Sequence, residues 1–342
     1  WYGAAGSPAL AVREGDPAPD TTDNFADVPS SFITCSPSGT LSLNCQVDSG
    51  SSTDGGIWVG QPGSMSLLIR DGDSAPGIGG VVNINGPGNS LITHSGKVAF
   101  KTNLGGASST TDSAIYLGDA SQIDLVVREG DTAPGTGGAA YERFWDWNCN
   151  NDGRIAFEGK LTGSGVTSDN SYGVFSNGSG SMELIARQGD PAPGMDTGAV
   201  FYSVGSDVLL NNSGQICFEG SATGGSVTYD DDYAIWYGDH NGLQLVVREG
   251  DPAPGSPGNH MKSGFSVAGM NGSGIVALKG KVDETGDDGI WVWQNGGLEC
   301  VALEGQQWDA DGKGDMRTID DINILSGYPS GGGDGRARCL NE

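Results

Sequence analysis

Three carboxylates and a glycine turn share one short loop near the end of this chain, Asp309-x-Asp311-Gly312-x-x-Asp315 within GQQWDADGKGD. Oxygen donors set around a glycine turn suit a hard divalent cation, so Asp309, Asp311 and Asp315 form the chain's candidate Ca2+ cage. The loop departs from the EF-hand pattern in lacking a third alternating ligand and the closing Glu. Acidic runs at Asp230-Asp231-Asp232, and at Asp283-Glu284 with Asp287-Asp288, read as solvated loops. No other motif requires a cofactor.

A second charged phrase recurs. Arg-Glu-Gly-Asp-Pro-Ala-Pro or a close variant places Arg13, Arg70, Arg128, Arg187 and Arg248 three residues before Asp16, Asp73, Asp131, Asp190 and Asp251. A guanidinium fork can bridge such an Asp, or the carbonyls of a neighbouring unit. Pro-Ala-Pro would stiffen the passage to the next unit by fixing φ. A site needed once is rarely copied five times, so the phrase reads as scaffold.

The search for catalytic constellations is negative. His94, His240 and His260 fall in turns or loops without a second ligand at metal spacing. The chain has no G-x-S-x-G elbow, P-loop, H-E-x-x-H or C-x-x-C,. Asn177, Asn211 and Asn271 open Asn-x-Ser sequons, a pattern that Asn/Gly/Ser-rich turns also produce by chance.

The elements that carry these residues follow from the repeat. The phrase glycines stand at 15, 72, 130, 189 and 250, with Gly305 in a decayed sixth copy, at gaps of 57, 58, 59, 61 and 55 residues. Six such units fill all 342 residues. Short apolar runs rich in Val, Ile, Tyr, Trp and Phe between glycine turns predict strands and almost no helix. Each unit parses into two hairpins. One is centred on Gly39, Gly96, Gly153, Gly214 or Gly274; the other carries GIWVG, AIYLGD, GVFSNG, AIWYGD or GIWVW. Four strands per unit predict an all-β chain of four-stranded antiparallel blades, a six-bladed β-propeller. As one domain over 1–342, the blades fall near 27–72, 81–130, 140–189, 200–250 and 264–305. The sixth is split between 316–342 and 1–15.

Asn-x-x-Gly-x-x-Ala-Phe followed by Arg-Glu-Gly-Asp-Pro-Ala-Pro-Gly resembles the bacterial choice-of-anchor surface proteins built of NxxGxxAF tandem repeats. The hairpin order is similar to the TolB-like propeller. Asn heads the motif at 150, 211 and 271, while Ser36 and Thr93 replace it in the first two copies. The resemblance implies an exported, envelope-associated protein and brings no known activity.

Seventeen basic against 43 acidic residues give a net charge of −26, which argues against nucleic acid or anionic lipid as a partner,. Six cysteines (35, 45, 149, 217, 300 and 339) are expected to form disulfides outside the cytoplasm, although free thiols remain an alternative,. No apolar run is long enough to span a membrane. Trp1 begins mid-strand, as in a processed mature protein. The split blade leaves two options for the hairpin carrying Trp1, Tyr2, Gly3, Leu10, Val12 and Arg13. It can close its own ring, or complete the blade of a neighbouring copy and so build a head-to-tail filament. The favoured expectation is a non-enzymatic extracellular structural protein, and copies of itself are its expected partner. The alternative is a monomeric module binding a cell-surface glycan or a peptide, with Trp145, Trp147, Trp293 and Trp308 as stacking surfaces. An enzyme working at the channel mouth is the third expectation.

Overall fold

Segments of three to twelve residues, many separated by glycine turns, fold into antiparallel strands, and the described residues contain no helix. The computed structural model describes residues 9–28, 33–50, 53–83, 90–283, 285–309, 312–314 and 316–322.

The first sheet holds β1 (Asn24–Asp27), β2 (Ile33–Cys35), β3 (Leu41–Asp48), β4 (Thr53–Gln61) and β5 (Ser64–Arg70). The second holds β6 (Val81–Asn83), β7 (Ser90–Ile92), β8 (Val98–Gly105), β9 (Ser113–Asp119) and β10 (Gln122–Arg128). In both, two short segments pair with one long strand in the place of a single first strand. The third sheet is β11 (Ala140–Cys149), β12 (Ile155–Thr162), β13 (Tyr172–Ser176) and β14 (Glu183–Arg187). The fourth is β15 (Ala199–Leu210), β16 (Ile216–Gly224), β17 (Tyr233–Asp239) and β18 (Gly242–Arg248). The fifth is β19 (Met261–Met270), β20 (Val276–Val282), β21 (Asp288–Gln294) and β22 (Gly297–Leu303). Each of these three is an antiparallel meander in chain order. A two-stranded ribbon, β23 (Gln307–Asp309) with β24 (Met316–Thr318), comes last.

The core lies between sheets. In each sheet a large side chain on the second strand faces one on the third: Leu43 and Trp58, Phe100 and Tyr116, Phe157 and Phe175, Phe218 and Trp236, Leu278 and Trp291. All ten are at most 1% exposed. This face packs on the β-branched face of the preceding sheet, as Phe100 and Tyr116 do against Ile57 and Ile69. Successive antiparallel sheets stacked face to face form the arrangement of a β-propeller, in which a sheet buries both faces only by having neighbours.

One expectation changes. Cys35, Cys45, Cys149, Cys217 and Cys300 are free thiols, so the expected disulfides are absent among the described residues; Cys339 lies outside them. Cys45 and Cys217 are buried as apolar core members, and burial pushes the Cys45 thiol up to about 12,. Of the C-terminal half expected for the sixth blade, residues 323–342 lie outside the described residues. Met316–Thr318 pairs with Gln307–Asp309, so the linker after the fifth sheet folds into a ribbon of its own.

Candidate functional site

The recurrent phrase is where charged side chains concentrate, and its geometry repeats. In every copy the amide of the fourth residue donates to the carbonyl of the first, for example Asp73 N to Arg70 O at 3.1 Å and Asp251 N to Arg248 O at 3.1 Å. The glycine between them has positive φ, as at Gly72 (84°) and Gly250 (82°), which is the conformation the third position of a type II turn demands,. The same glycine amide donates to the first strand of the next sheet: Gly15 to Phe25 O, Gly72 to Val82 O, Gly130 to Tyr141 O, Gly189 to Phe201 O and Gly250 to Met261 O; Gly305 makes the matching bond to Ile319 O, just beyond β24. Six copies therefore make six identical joints, the decayed one included.

The expected Arg–Asp bridge is not the general rule. It forms only at Arg13 and Asp16, 2.8 Å apart on the surface. In the copies at Arg70, Arg128 and Arg248 the Asp carboxylate instead accepts from the Arg backbone amide, at 2.9 Å for Asp73 and Asp131 and 2.8 Å for Asp251. The turn brings that amide closer to the carboxylate than the guanidinium, which is free to reach backwards. Arg70 pairs with Asp23 and Asp54, both at 3.3 Å. Arg187 donates to Asn170 O at 2.8 Å and Thr136 O at 3.5 Å. Arg248 holds Asp231 and, at 3.4 Å, Asp196. Each of these three arginines thus ties its own sheet to the linker that enters it. Burial pushes Asp190 and Asp251 above the usual carboxylate range,.

The rest of the phrase serves the joint to the following sheet. Its alanines (Ala18, Ala75, Ala133, Ala192 and Ala253) are buried. The carbonyl of its second proline accepts a tryptophan indole from the next sheet: Trp58 to Pro19 at 3.0 Å, Trp236 to Pro193 at 2.9 Å and Trp291 to Pro254 at 2.9 Å. Gly56 and Gly289 leave room for those indoles, since a Cβ there would stand 2.6 and 2.3 Å from the ring. The second and third sheets carry Tyr116 and Phe175 at this position and lack the bond. The Tyr116 hydroxyl is buried without a hydrogen-bond partner.

At the opposite end of the sheets, the Asn of the NxxG turn has two jobs. Its Oδ1 caps its own turn, as Asn150 does for Asp152 N and Arg154 N. Its Nδ2 reaches the next sheet: Asn150 to Asn211 O at 2.9 Å, and Asn211 to Asn271 O at 3.1 Å. Ser36 and Thr93 keep the cap and lack the second donor. The amide of Asn211 is buried in this ladder and closed to glycan attachment.

A third set of links was not legible from sequence. One position of the second strand carries Lys101, Glu158, Glu219 and Lys279; the first three point at the first strand of the next sheet, and Lys279 at the segment after β24. Lys101 Nζ donates to Phe144 O at 2.7 Å, Lys279 Nζ to Ile322 O at 2.9 Å, and Glu219 Oε1 accepts from Val267 N at 2.8 Å. Glu158 lies under Gly205, whose positive φ and absent side chain let the next strand cross it. Burial, helped by Asp146, raises Glu158 to about 7. Glu129 also rises to about 7, through burial and its contact with Asp112. Burial lowers Lys101. These titratable groups brace one sheet against the next.

Of the expected metal cage, Asp311 and Asp315 lie outside the described residues. Asp309 Oδ2 accepts from Gly314 N at 2.9 Å, so it caps a turn. Trp1, Tyr2 and Gly3 also lie outside. Val12, with Ala11, packs on the core of the first sheet, and Leu10 is 40% exposed. Trp147 and Trp293 are core residues, and Trp145 stacks on Tyr172 with ring centroids 5.7 Å apart. Trp308 is 45% exposed.

Fold and repeated joints together define an all-β protein of stacked antiparallel sheets, three of them four-stranded meanders. The chain belongs to the family of unknown function DUF7453, whose model matches residues 1–342. No curated protein matches it. Among solved structures it is similar to the β-propeller domain of the Trilobed protease from Pyrococcus furiosus, at 9% identity and TM-score 0.46 over 79% of this chain and 70% of that one. It is also similar to the Pyrococcus horikoshii acylaminoacyl peptidase, at 12% identity and TM-score 0.43 over 81% of this chain and 40% of that one. An oligogalacturonate lyase in complex with manganese matches at 10% identity and TM-score 0.40, over 78% of this chain and 63% of that one.

Proposed function

We propose that this chain is a non-enzymatic extracellular structural protein. It is a six-bladed propeller whose sixth blade is divided between residues 1–15 and 316–342, and the N-terminal hairpin can complete that blade in a second copy. The observation that carries the reading is the seating of the described parts of the two halves, residues 9–15 and 316–322. Ala11 and Val12 pack on the first sheet where every later phrase-bearing strand packs on its successor, and the Gly15–Phe25 joint is the same as the other five. At the far end Ile319 and Ile322 dock on the fifth sheet as a first strand would, through Gly305 N and through Lys279 Nζ with Glu304. Residues 11–15 pack on the first sheet and residues 319–322 bond to the fifth.

The non-catalytic part of the proposal rests on what the charged side chains do, since the repeated residues are engaged in joints between sheets. The extracellular part rests on the net charge of −26 and on the resemblance of the repeats to surface proteins. The free thiols withdraw the cysteines as support for it. Electron microscopy of native material tests assembly. Filaments are expected from the full chain, and none from a chain lacking residues 1–15. Filaments that survive the deletion, or isolated rings from the full chain, refute strand exchange.

A further inference from the structure

Four of the five phrase arginines find partners for their side chains. Arg128 is the exception: among the described residues no hydrogen bond or ion pair reaches its guanidinium, and its Nε is enclosed without a partner. Its siblings show what this corner of the fold binds. Arg248 grips Asp196 with both terminal nitrogens, at 3.5 and 3.4 Å, and holds Asp231 as well. Arg70 takes Asp23 and Asp54, and Arg187 takes two carbonyls.

Strand register and a repeated backbone bond identify what stands at the same places beside Arg128. Asp231 lies three residues before Ala234, which pairs with Arg248; three residues before Ala114, which pairs with Arg128, lies Thr111. Thr111 is uncharged, and its hydroxyl bonds back to Ser108 O at 3.4 Å. Asp23 accepts at its carbonyl from Ala18 N, and the matching bond from Ala75 N ends on Gly80. A Cβ on Gly80 would meet nothing nearer than the Gly105 carbonyl at 3.5 Å, so no side chain fills that place. The whole linker from Pro76 to β6, Gly77-Ile78-Gly79-Gly80, carries no acid. The acids that remain are engaged, Asp131 with the Arg128 amide and Glu129 with the Asp112 amide. Tyr116, the diagonal neighbour of Arg128 across β9 and β10, likewise has its hydroxyl enclosed without a partner, and the charge of Arg128 reaches it,. A guanidinium cannot shed its charge, so in a chain of net charge −26 this half-buried cation stands without a counter-ion where its siblings have one,.

We propose that Arg128 binds a carboxylate supplied from outside the chain, in the place where the first and fourth sheets carry carboxylates of their own. The ligand takes the two terminal nitrogens in parallel hydrogen bonds, as Asp196 takes those of Arg248,. The class of ligand follows from the siblings, since every charged group that fills the corner elsewhere is a carboxylate. Gly80 and Thr111 leave the corner without one. The site uses no residue of the N-terminal hairpin, so it stands whether or not copies assemble.

Thermal scans of the full chain in sodium acetate, in N-acetylglycine and in sodium chloride of equal ionic strength test it. Acetate stands for a free small acid and N-acetylglycine for the carboxyl end of a peptide. A single fork implies a dissociation constant on the order of 1 mM. At about a hundred times that concentration the midpoint should rise about 3–5 °C above its value in chloride. Whichever acid reaches half of this effect at the lower concentration identifies the source. Arg128→Gln should remove the difference between carboxylate and chloride. Thr111→Asp places a carboxylate where Asp231 stands, so it should raise the midpoint in chloride by about 1–2 °C and weaken the response to acetate about tenfold. In a proton–nitrogen correlation spectrum the Arg128 Nε signal, assigned by its loss in Arg128→Gln, should move to a saturating endpoint with acetate in the parent and hold still in Thr111→Asp. Three results overturn the proposal: midpoints in both carboxylates equal to that in chloride, a carboxylate response that survives Arg128→Gln, or a response unchanged in Thr111→Asp.

Discussion

Replacing Trp236 by Phe keeps an aromatic ring between Phe218 and Phe201, its partners at 5.9 and 4.9 Å, and removes one bond, the indole N–H to Pro193 O at 2.9 Å. A net intramolecular hydrogen bond is worth ~1 kcal/mol, and an orphaned carbonyl raises the cost toward ~2 kcal/mol. Because Trp236 is fully buried, the missing part of the indole adds a small cavity worth about 1 kcal/mol. The expected loss is therefore about 2–3 kcal/mol. Urea unfolding read by near-ultraviolet circular dichroism gives the midpoint shift, with the slope unchanged. Hydrogen exchange locates the effect. The Phe201 amide, bonded to Asp190 O at 2.9 Å beside the lost contact, should exchange about tenfold to hundredfold faster, while amides of the first sheet hold their rates. A loss below ~0.5 kcal/mol, or faster exchange spread evenly over all sheets, would show that the indole bond does not clasp the phrase to the next sheet.

Asn211→Ser keeps the turn cap, as Ser36 does in the first sheet, and loses the Nδ2 donor to Asn271 O. It should cost ~1 kcal/mol, and Asn211→Asp more, because a carboxylate would then face that carbonyl; equal thermal midpoints for wild type and both variants would remove the ladder from the account. Glu158 in the folded chain keeps its proton to about 7, against 4.5 for an unperturbed glutamate. The unfolded chain releases that proton first, so stability falls as pH rises from about 4.5 to about 7 and stays lower above that window. Glu158→Gln should flatten this fall between pH 5 and 8, and adding Glu129→Gln should flatten it further. A pH slope in Glu158→Gln equal to that of wild type refutes the assignment.

The period was legible because the phrase supplies turn chemistry that a strand pattern alone lacks: Gly72 and Gly250 must be glycine to hold positive φ, and they recur for that reason. The two hairpins per unit were legible from their own turns. The partners of the phrase were not. Arg248 and Asp251 look like an ion pair at a spacing of three, but the turn hands the carboxylate to a backbone amide and sends the guanidinium to Asp231 and Asp196. The tryptophans of GIWVG and AIWYGD read as apolar strand residues, and nothing local to Trp58 or Trp236 shows that a proline carbonyl some 39 or 43 residues earlier awaits the indole. Lys101 and Lys279 escaped notice because their acceptors are backbone carbonyls, which carry no sequence signature.

The indole-to-proline clasp points one way along the chain. In each case the carbonyl belongs to the phrase that precedes a sheet, and the donor arrives 37 to 43 residues later, inside the sheet being held. The glycine joint, the buried alanine and the β-branched face that receives the new core residues are likewise already laid down when a sheet emerges from the ribosome. Each sheet can then condense on a finished surface without waiting for sequence still to come, with loops of similar length to close every time. Such a chain grows as a stack, one sheet at a time.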